Sequence, residues 1–195
     1  MKGNRMEIQK YQGIPPAETV AINEGKGVQI VHADSVTPTF NVILAGDAGK
    51  RTELSRDYYN LIIGYDPFPT DHILVDPERA LTEYITDEVR ELFGGWTPDK
   101  IEKIKKLPAV ITQERDGTDG QQAVFAFITN IRKQENGIKV YYQRYYPIPF
   151  SLLWVNMREM GIAHQFEYTR THWTIKNIDL LEALQDAGMQ IFPGK

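Results

Sequence analysis

"LPAVITQERDGTDGQQAVFAFITNIRKQENGIKVYYQRYY", residues 107–146, decides the fold of this chain. Its apolar residues recur at period two, the spacing of a strand that turns one face to a core. Three such runs, "LPAVITQE", "AVFAFITNIRK" and "IKVYYQRYY", are separated by "RDGTDG" and "QENG". The Asp-Gly and Asn-Gly pairs supply the positive φ that tight antiparallel turns require. The spacing therefore predicts a three-stranded antiparallel meander, broken at "PIPF" (147–150) by two prolines.

Toward the N-terminus, "GVQIVHA", "TFNVILAG" and "NLIIGYD" read as short strands after a polar lead-in of about 15 residues that ends at "GIPP". Asp76-Pro77 and Thr97-Pro98 each place a capping side chain before a proline at the first helical position. Ala80, Leu81, Tyr84 and Ile85 then follow helical spacing. Val89, Leu92 and Phe93 continue that helix or form a second, which Gly94-Gly95 stops. Ile101 and Ile104 give a further short helix its apolar side. Beyond the meander, the pattern predicts a helix over 151–160 with Gly161 past its end and an aromatic strand over 162–175. A last helix starts near Asn177, buries Ile178, Leu181 and Leu184, and precedes Gly188. The sum is an α+β fold: a mainly antiparallel sheet, open or partly closed into a barrel, with three to five short helices packed at one side or end. It forms one domain over 1–195, or two subdomains: a strand-then-helix part (1–106), and the meander with its C-terminal helices (107–195).

Composition removes whole classes of function. Hydrophobic residues make up 42% and charged residues 25%, enough to build a core and too apolar for disorder. The absence of cysteine excludes disulfides, Cys-ligated zinc, iron–sulfur clusters and thiol nucleophiles. No run of 18 apolar residues is present and "MKGNRMEIQK" lacks an apolar signal region, so a soluble cytoplasmic protein without a membrane partner is expected. A net charge of −4 argues against wrapping a nucleic-acid duplex. The charge is uneven, however. Residues 1–98 hold 9 Lys/Arg against 15 Asp/Glu, and residues 99–195 hold 13 against 11, with the basic surplus between Lys100 and Arg158.

Four stretches are candidate sites. "YDPFPTDHILVDPE" (65–78) spaces Asp66, Asp71 and Asp76 evenly and sets His72 beside the middle one. Such a loop could hold Mg²⁺, Mn²⁺ or Ca²⁺, although the spacing is not that of an EF-hand. Turn and cap chemistry explains each aspartate singly and is the preferred account. "LAGDAGKRTE" (44–53) fails as a phosphate loop: two residues, not four, separate its glycines, and Arg51 follows Lys50. An anion nest at Gly49-Lys50-Arg51 is the weaker alternative to a solvated hairpin. "RTHW" (170–173) offers Arg170 and His172 on one strand face, with His164 at an even spacing upstream; a buried histidine satisfied by the backbone is the plainer account. Finally, Arg132, Lys133, Lys139 and Arg144 interleave with Tyr141, Tyr142, Tyr145 and Tyr146. Cations for phosphates and rings for bases are the ingredients of a single-strand binder, while tyrosines also alternate in strands for packing alone. Alternation sets Tyr142, Arg144 and Tyr146 on one face, and Lys139, Tyr141, Gln143 and Tyr145 on the other. None of the three serines, Ser35, Ser55 and Ser151, lies in a nucleophile-elbow pattern.

The segments "LPAVITQE", "AVFAFITNIRK", "IKVYYQRYYPIPF" and "THWTIKNIDLLEAL" (within 107–184) together resemble an uncharacterised β-rich accessory segment of bacterial phage-defence and mobile-element proteins. The resemblance implies recognition or regulation more than chemistry and carries no catalytic residue across. The leading expectation is thus a non-catalytic binding or sensing module of the bacterial cytoplasm, with no cofactor. Its partner would be a nucleic acid, a nucleotide-like ligand or a protein, and its site Arg132, Lys133, Tyr142, Arg144, Tyr146, Arg170 and His172. The alternatives are a metal-dependent hydrolase or nuclease using Asp66, Asp71, His72 and Asp76, and a scaffolding homo-oligomer.

Overall fold

The computed structural model describes residues 29–31, 41–43, 52–53 and 55–189. The lead-in and the Gly49-Lys50-Arg51 nest lie outside the described residues. Strands β1 (Gln29–Val31), β2 (Asn41–Ile43) and β3 (Thr52–Glu53) form a small antiparallel sheet in that order. The main sheet contains β4 (Tyr59–Ile63), β5 (His72–Val75), β6 (Pro108–Thr112), β7 (Gln122–Gln134), β8 (Gly137–Pro149) and β9 (His172–Lys176). Its order is β5-β8-β7-β6-β4-β9, and it curls into a half-barrel.

The meander forms as the turns predict: β6, β7 and β8 pair antiparallel in sequence order. "PIPF" does not break it, because β8 runs on to Pro149. Pro147 and Pro149 pair only with β7, since β5 reaches β8 no further than Tyr141, so on their free side the missing N–H groups cost nothing.

The sheet is mixed, however. β4 and β6 are parallel, and the connection between them carries helices α1 (Asp87–Phe93) and α2 (Pro98–Lys105). A parallel pair needs such a crossover, which lays helices over the sheet. With α3 (Phe150–Val155) and α4 (Leu180–Asp186) the helices cover both faces, not one side. Alternation along the strands sorts the core accordingly. Ile62, Ala109, Ile111, Val124, Ala126, Val140 and Ile175 pack with Val89, Phe93 and Ile104 on the α1/α2 face. Tyr59, Leu61, Ile63, Val110, Phe125, Phe127 and Ile148 pack with Phe150, Leu153, Leu181 and Leu184 on the α3/α4 face.

Local signals correctly start the helices and mislead about their lengths. Asp76 caps, through a bond from the Glu78 N–H, a single 3-10 turn (Pro77–Arg79), and the helical spacing of Ala80 to Ile85 is not used. α1 begins instead where the Thr86 hydroxyl accepts from the Val89 N–H. Helix α3 ends at Val155, where the Asn156 side chain donates to the Leu152 carbonyl and competes with the helix. The strand predicted over 162–175 is interrupted by a 3-10 turn (Gln165–Thr169), and only His172–Lys176 is strand. α4 starts from Asp179, whose carboxylate accepts from the Leu181 and Glu182 N–H groups. Leu181 and Leu184 are buried as expected, and Ile178 partly.

Candidate functional site

Two β-bulges decide which tyrosines face out. In β7 the pairing steps from Ile128–Tyr142 to Asn130–Tyr141, leaving Thr129 as the extra residue; in β8 it steps from Phe125–Tyr146 to Ala126–Arg144, leaving Tyr145. A bulge shifts the face of every residue beyond it. Tyr146 therefore leaves the face of Tyr142, against the simple alternation, and packs with Tyr145 on the α3/α4 core. The Tyr145 hydroxyl is buried without a partner among the described residues, and burial pushes its pKa up to about 12.

Tyr142 is itself core. It is buried on the α1/α2 face, and its hydroxyl donates to the carbonyls of Pro67 (3.1 Å) and Thr70 (3.0 Å). The Arg144 guanidinium reaches the same loop, donating to Pro67 (2.9 Å) and Phe68 carbonyls. These two predicted ligand-binding residues hold the 66–71 loop against the sheet.

The outward tyrosine is Tyr141. Register places six residues in a grid on the α3/α4 face, over the end of the sheet nearest β5: Asn130, Tyr141 and His72 in one row, Arg132, Lys139 and Leu74 in the next. The inward neighbours Ile73, Val75, Ile131, Val140 and Tyr142 are buried on the opposite face, so the grid points to solvent. Leu74 is 41% exposed. Tyr141 is the hub: the Arg132 guanidinium lies 5.5 Å and the Lys139 ammonium 5.2 Å from its ring centre, and the His72 ring 5.6 Å away. Lys133 is exposed near the hairpin end, but it pairs with Ile138 and so projects from the opposite face, outside the grid.

The aspartates of the 65–78 loop do not converge. Asp66 accepts from the Phe68 N–H in a turn, Asp76 caps the 3-10 turn, and Asp71 pairs with His72 Nδ1 at 3.0 Å. That bond holds the Asp71 carboxyl below its ordinary value. No group of three or more His, Cys, Asp or Glu side chains is placed to share a metal among the described residues.

Arg170 and His172 lie at the other end of the sheet; His172 is enclosed, while the Arg170 side chain is part-exposed and tied to Glu83. His172 is fully buried on the outermost strand, facing the α3/α4 side with Thr174 and Lys176. Its Nδ1–H donates to the Arg170 carbonyl (2.7 Å), and its Nε2 faces Glu167 Oε1 at 3.3 Å. The Lys176 ammonium binds that same oxygen at 2.6 Å. Residues 80–84 roof this cluster by passing over the free edge of β9: the Leu81 N–H donates to the Trp173 carbonyl, and the Thr174 hydroxyl to that of Tyr84. Leu81 and Tyr84 hold φ of 57° and 52°, left-handed values that cost non-glycine residues energy. The Tyr84 ring closes over His172, centres 4.7 Å apart. Glu83 fixes the roof with bonds to Arg79 (2.6 Å) and both sides of the Arg170 fork, and the Arg170 bond holds the Glu83 carboxyl below its usual value. His164 is exposed, outside the strand, and does not join His172.

The arrangement thus separates two kinds of chemistry. The enclosed cluster ties its charges to one another. The grid presents two cations, an imidazole and an aromatic ring to water. Sequence reasoning counted Lys139 and Tyr141 in the basic-aromatic stretch but left them out of the final site; the signal was "IKVYY", where Lys139 marks the outward parity that Tyr141 shares. Compared with family profiles, curated proteins and solved structures, the chain finds no significant match in any of the three.

Proposed function

We propose that the chain is a non-catalytic recognition module, and that the open grid around Tyr141 is its binding surface for an anionic ligand. The observation that carries this is the convergence of Arg132 and Lys139 on one outward ring. Neither cation has a carboxylate partner among the described ion pairs, unlike Arg56, Arg79, Arg90, Lys105, Arg170 and Lys176. The Asp71 carboxylate is within electrostatic reach of Lys139, so the pair is partly offset, but two clustered cations on an otherwise acidic chain form a local attractive field for anions. The resemblance to accessory segments of bacterial defence proteins fits the same role. Arg170 and His172 drop out of this surface, and Tyr142 and Arg144 support it from behind by fixing the neighbouring loop.

Titration calorimetry with inorganic polyphosphate tests the proposal. The Arg132→Ala/Lys139→Ala variant should bind at least about ten-fold more weakly, at an unchanged melting temperature, because surface substitutions of this kind seldom alter stability. Equal affinity of variant and parent, or no binding by the parent, overturns it.

A further inference from the structure

Resting on that proposal, we infer that the anionic ligand is single-stranded nucleic acid, with an unpaired base stacked on Tyr141 and its flanking phosphates on Arg132 and Lys139. A surface for phosphate alone would have no use for aromatic rings, yet the cations here surround one. His72, in the same row of the grid, sets its imidazole against the Tyr141 ring. Rings interleaved with cations on an open sheet face are what successive unpaired bases need: π-faces to stack on and charge for the backbone.

The same features exclude other forms of nucleic acid. Bases in a duplex are stacked on one another and cannot reach Tyr141. The chain's net charge of −4 repels a long polyanion away from the grid, so the footprint is a few nucleotides. An acidic peptide would satisfy Arg132 and Lys139 but would leave the ring of Tyr141 without a role. The grid is also a rigid platform. Its residues sit on paired strands whose other face is core, so binding orders few groups.

Fluorescence anisotropy of the full chain with a short labelled oligothymidylate tests this, beside the same strand annealed to its complement, a polyglutamate peptide and inorganic polyphosphate. The single strand should bind at least about ten-fold tighter than the duplex. Tyr141→Ala should weaken it about 5- to 150-fold, the value of one stacked base, while Tyr141→Phe keeps it. Polyphosphate binding should not respond to Tyr141→Ala. With about two phosphates held, log affinity should fall with log salt at a slope near −1.4. Arg132→Ala, an exposed substitution, keeps the test valid if Tyr141→Ala fails to fold; it should weaken the single strand at an unchanged melting temperature. If polyphosphate binds but the oligonucleotide does not, or binds independently of Tyr141, the base-stacking inference falls and the anion surface stands. Polyglutamate binding as tight as that of the strand replaces nucleic acid by acidic peptide. If neither polyphosphate nor strand binds, both proposals fall.

Discussion

The two outer strands of the main sheet carry the same chemistry under opposite conditions. At β5, His72 meets Asp71 at 3.0 Å with the carboxylate 80% exposed; at β9, His172 meets Glu167 at 3.3 Å with both side chains all but dry. At the open edge water solvates whatever the pair does not, so the pair contributes little. At the roofed edge each charge depends on its neighbours, because a buried ion left alone is far costlier than the pair is favourable. Lys176 and the strained roof at Leu81 and Tyr84 belong to that second arrangement. The open edge is therefore free to meet a ligand, while the closed one is committed to the fold.

The sharpest way to break this comparison is to remove one carboxylate from each edge. Glu167→Gln leaves the buried Lys176 ammonium without its counter-charge and should cost about 3–5 kcal/mol, a fall in melting temperature of roughly 6–20 °C. Asp71→Asn should shift the melting temperature by no more than about 1 °C. Similar shifts in the two variants, read by calorimetry, would remove the distinction. Next in size is Tyr142→Phe, which probes how much of the open edge is itself fixed from behind. It leaves the Thr70 carbonyl without that donor and the Pro67 carbonyl with Arg144 alone, and should cost about 1–2 kcal/mol, or roughly 2–8 °C. An unchanged midpoint would mean that the loop is not held by that hydroxyl.

The smallest effect concerns the lock on the roof. The Glu83 carboxyl is held below its ordinary value of 4.5, chiefly by its hydrogen bond from Arg170. An acid with a depressed pKa in the folded state stabilises that state above the unfolded value. That contribution disappears as pH falls from about 4.5 through the lower folded value. Glu83→Gln should thus flatten the dependence of melting temperature on pH below about 4.5 and leave its slope at neutral pH unchanged. Parallel acid profiles for variant and parent would show that the roof is closed without this pair.

What the sequence disclosed was local. Asp-Gly and Asn-Gly marked the meander turns, and Thr97-Pro98 and Asp76-Pro77 marked helical starts, because these signals act over three or four residues. The parallel pairing of β4 with β6 and the docking of β9 on β4 depend on partners far along the chain. One trace of them was present. "YNLII" and "PAVIT" are buried at every position, the mark of strands covered on both faces, where an alternating reading expects one wet face. Tyr146 was assigned to the wrong face because an inserted residue leaves no signature in a period-two pattern; the bulge at Tyr145 becomes visible only once β7 is paired with β8. His172 looked like a strand histidine open to either side, and nothing in "RTHW" announces that residues 80–84 will cover it.

The position of β4 also sets a clock. Asn60 on β4 and Trp173 on β9 are 113 residues apart in the chain, yet the Trp173 indole donates to the Asn60 side chain at 3.1 Å. On a ribosome that adds about 5–20 residues per second, roughly 6–23 s separate the emergence of these two partners. Through that interval the meander and its crossover helices can assemble on one side of β4, while the other side presents bare, apolar, unpaired backbone. The nascent chain is thus most vulnerable to sticking to its neighbours until β9 emerges, and the five residues from His172 to Lys176 are what end the danger.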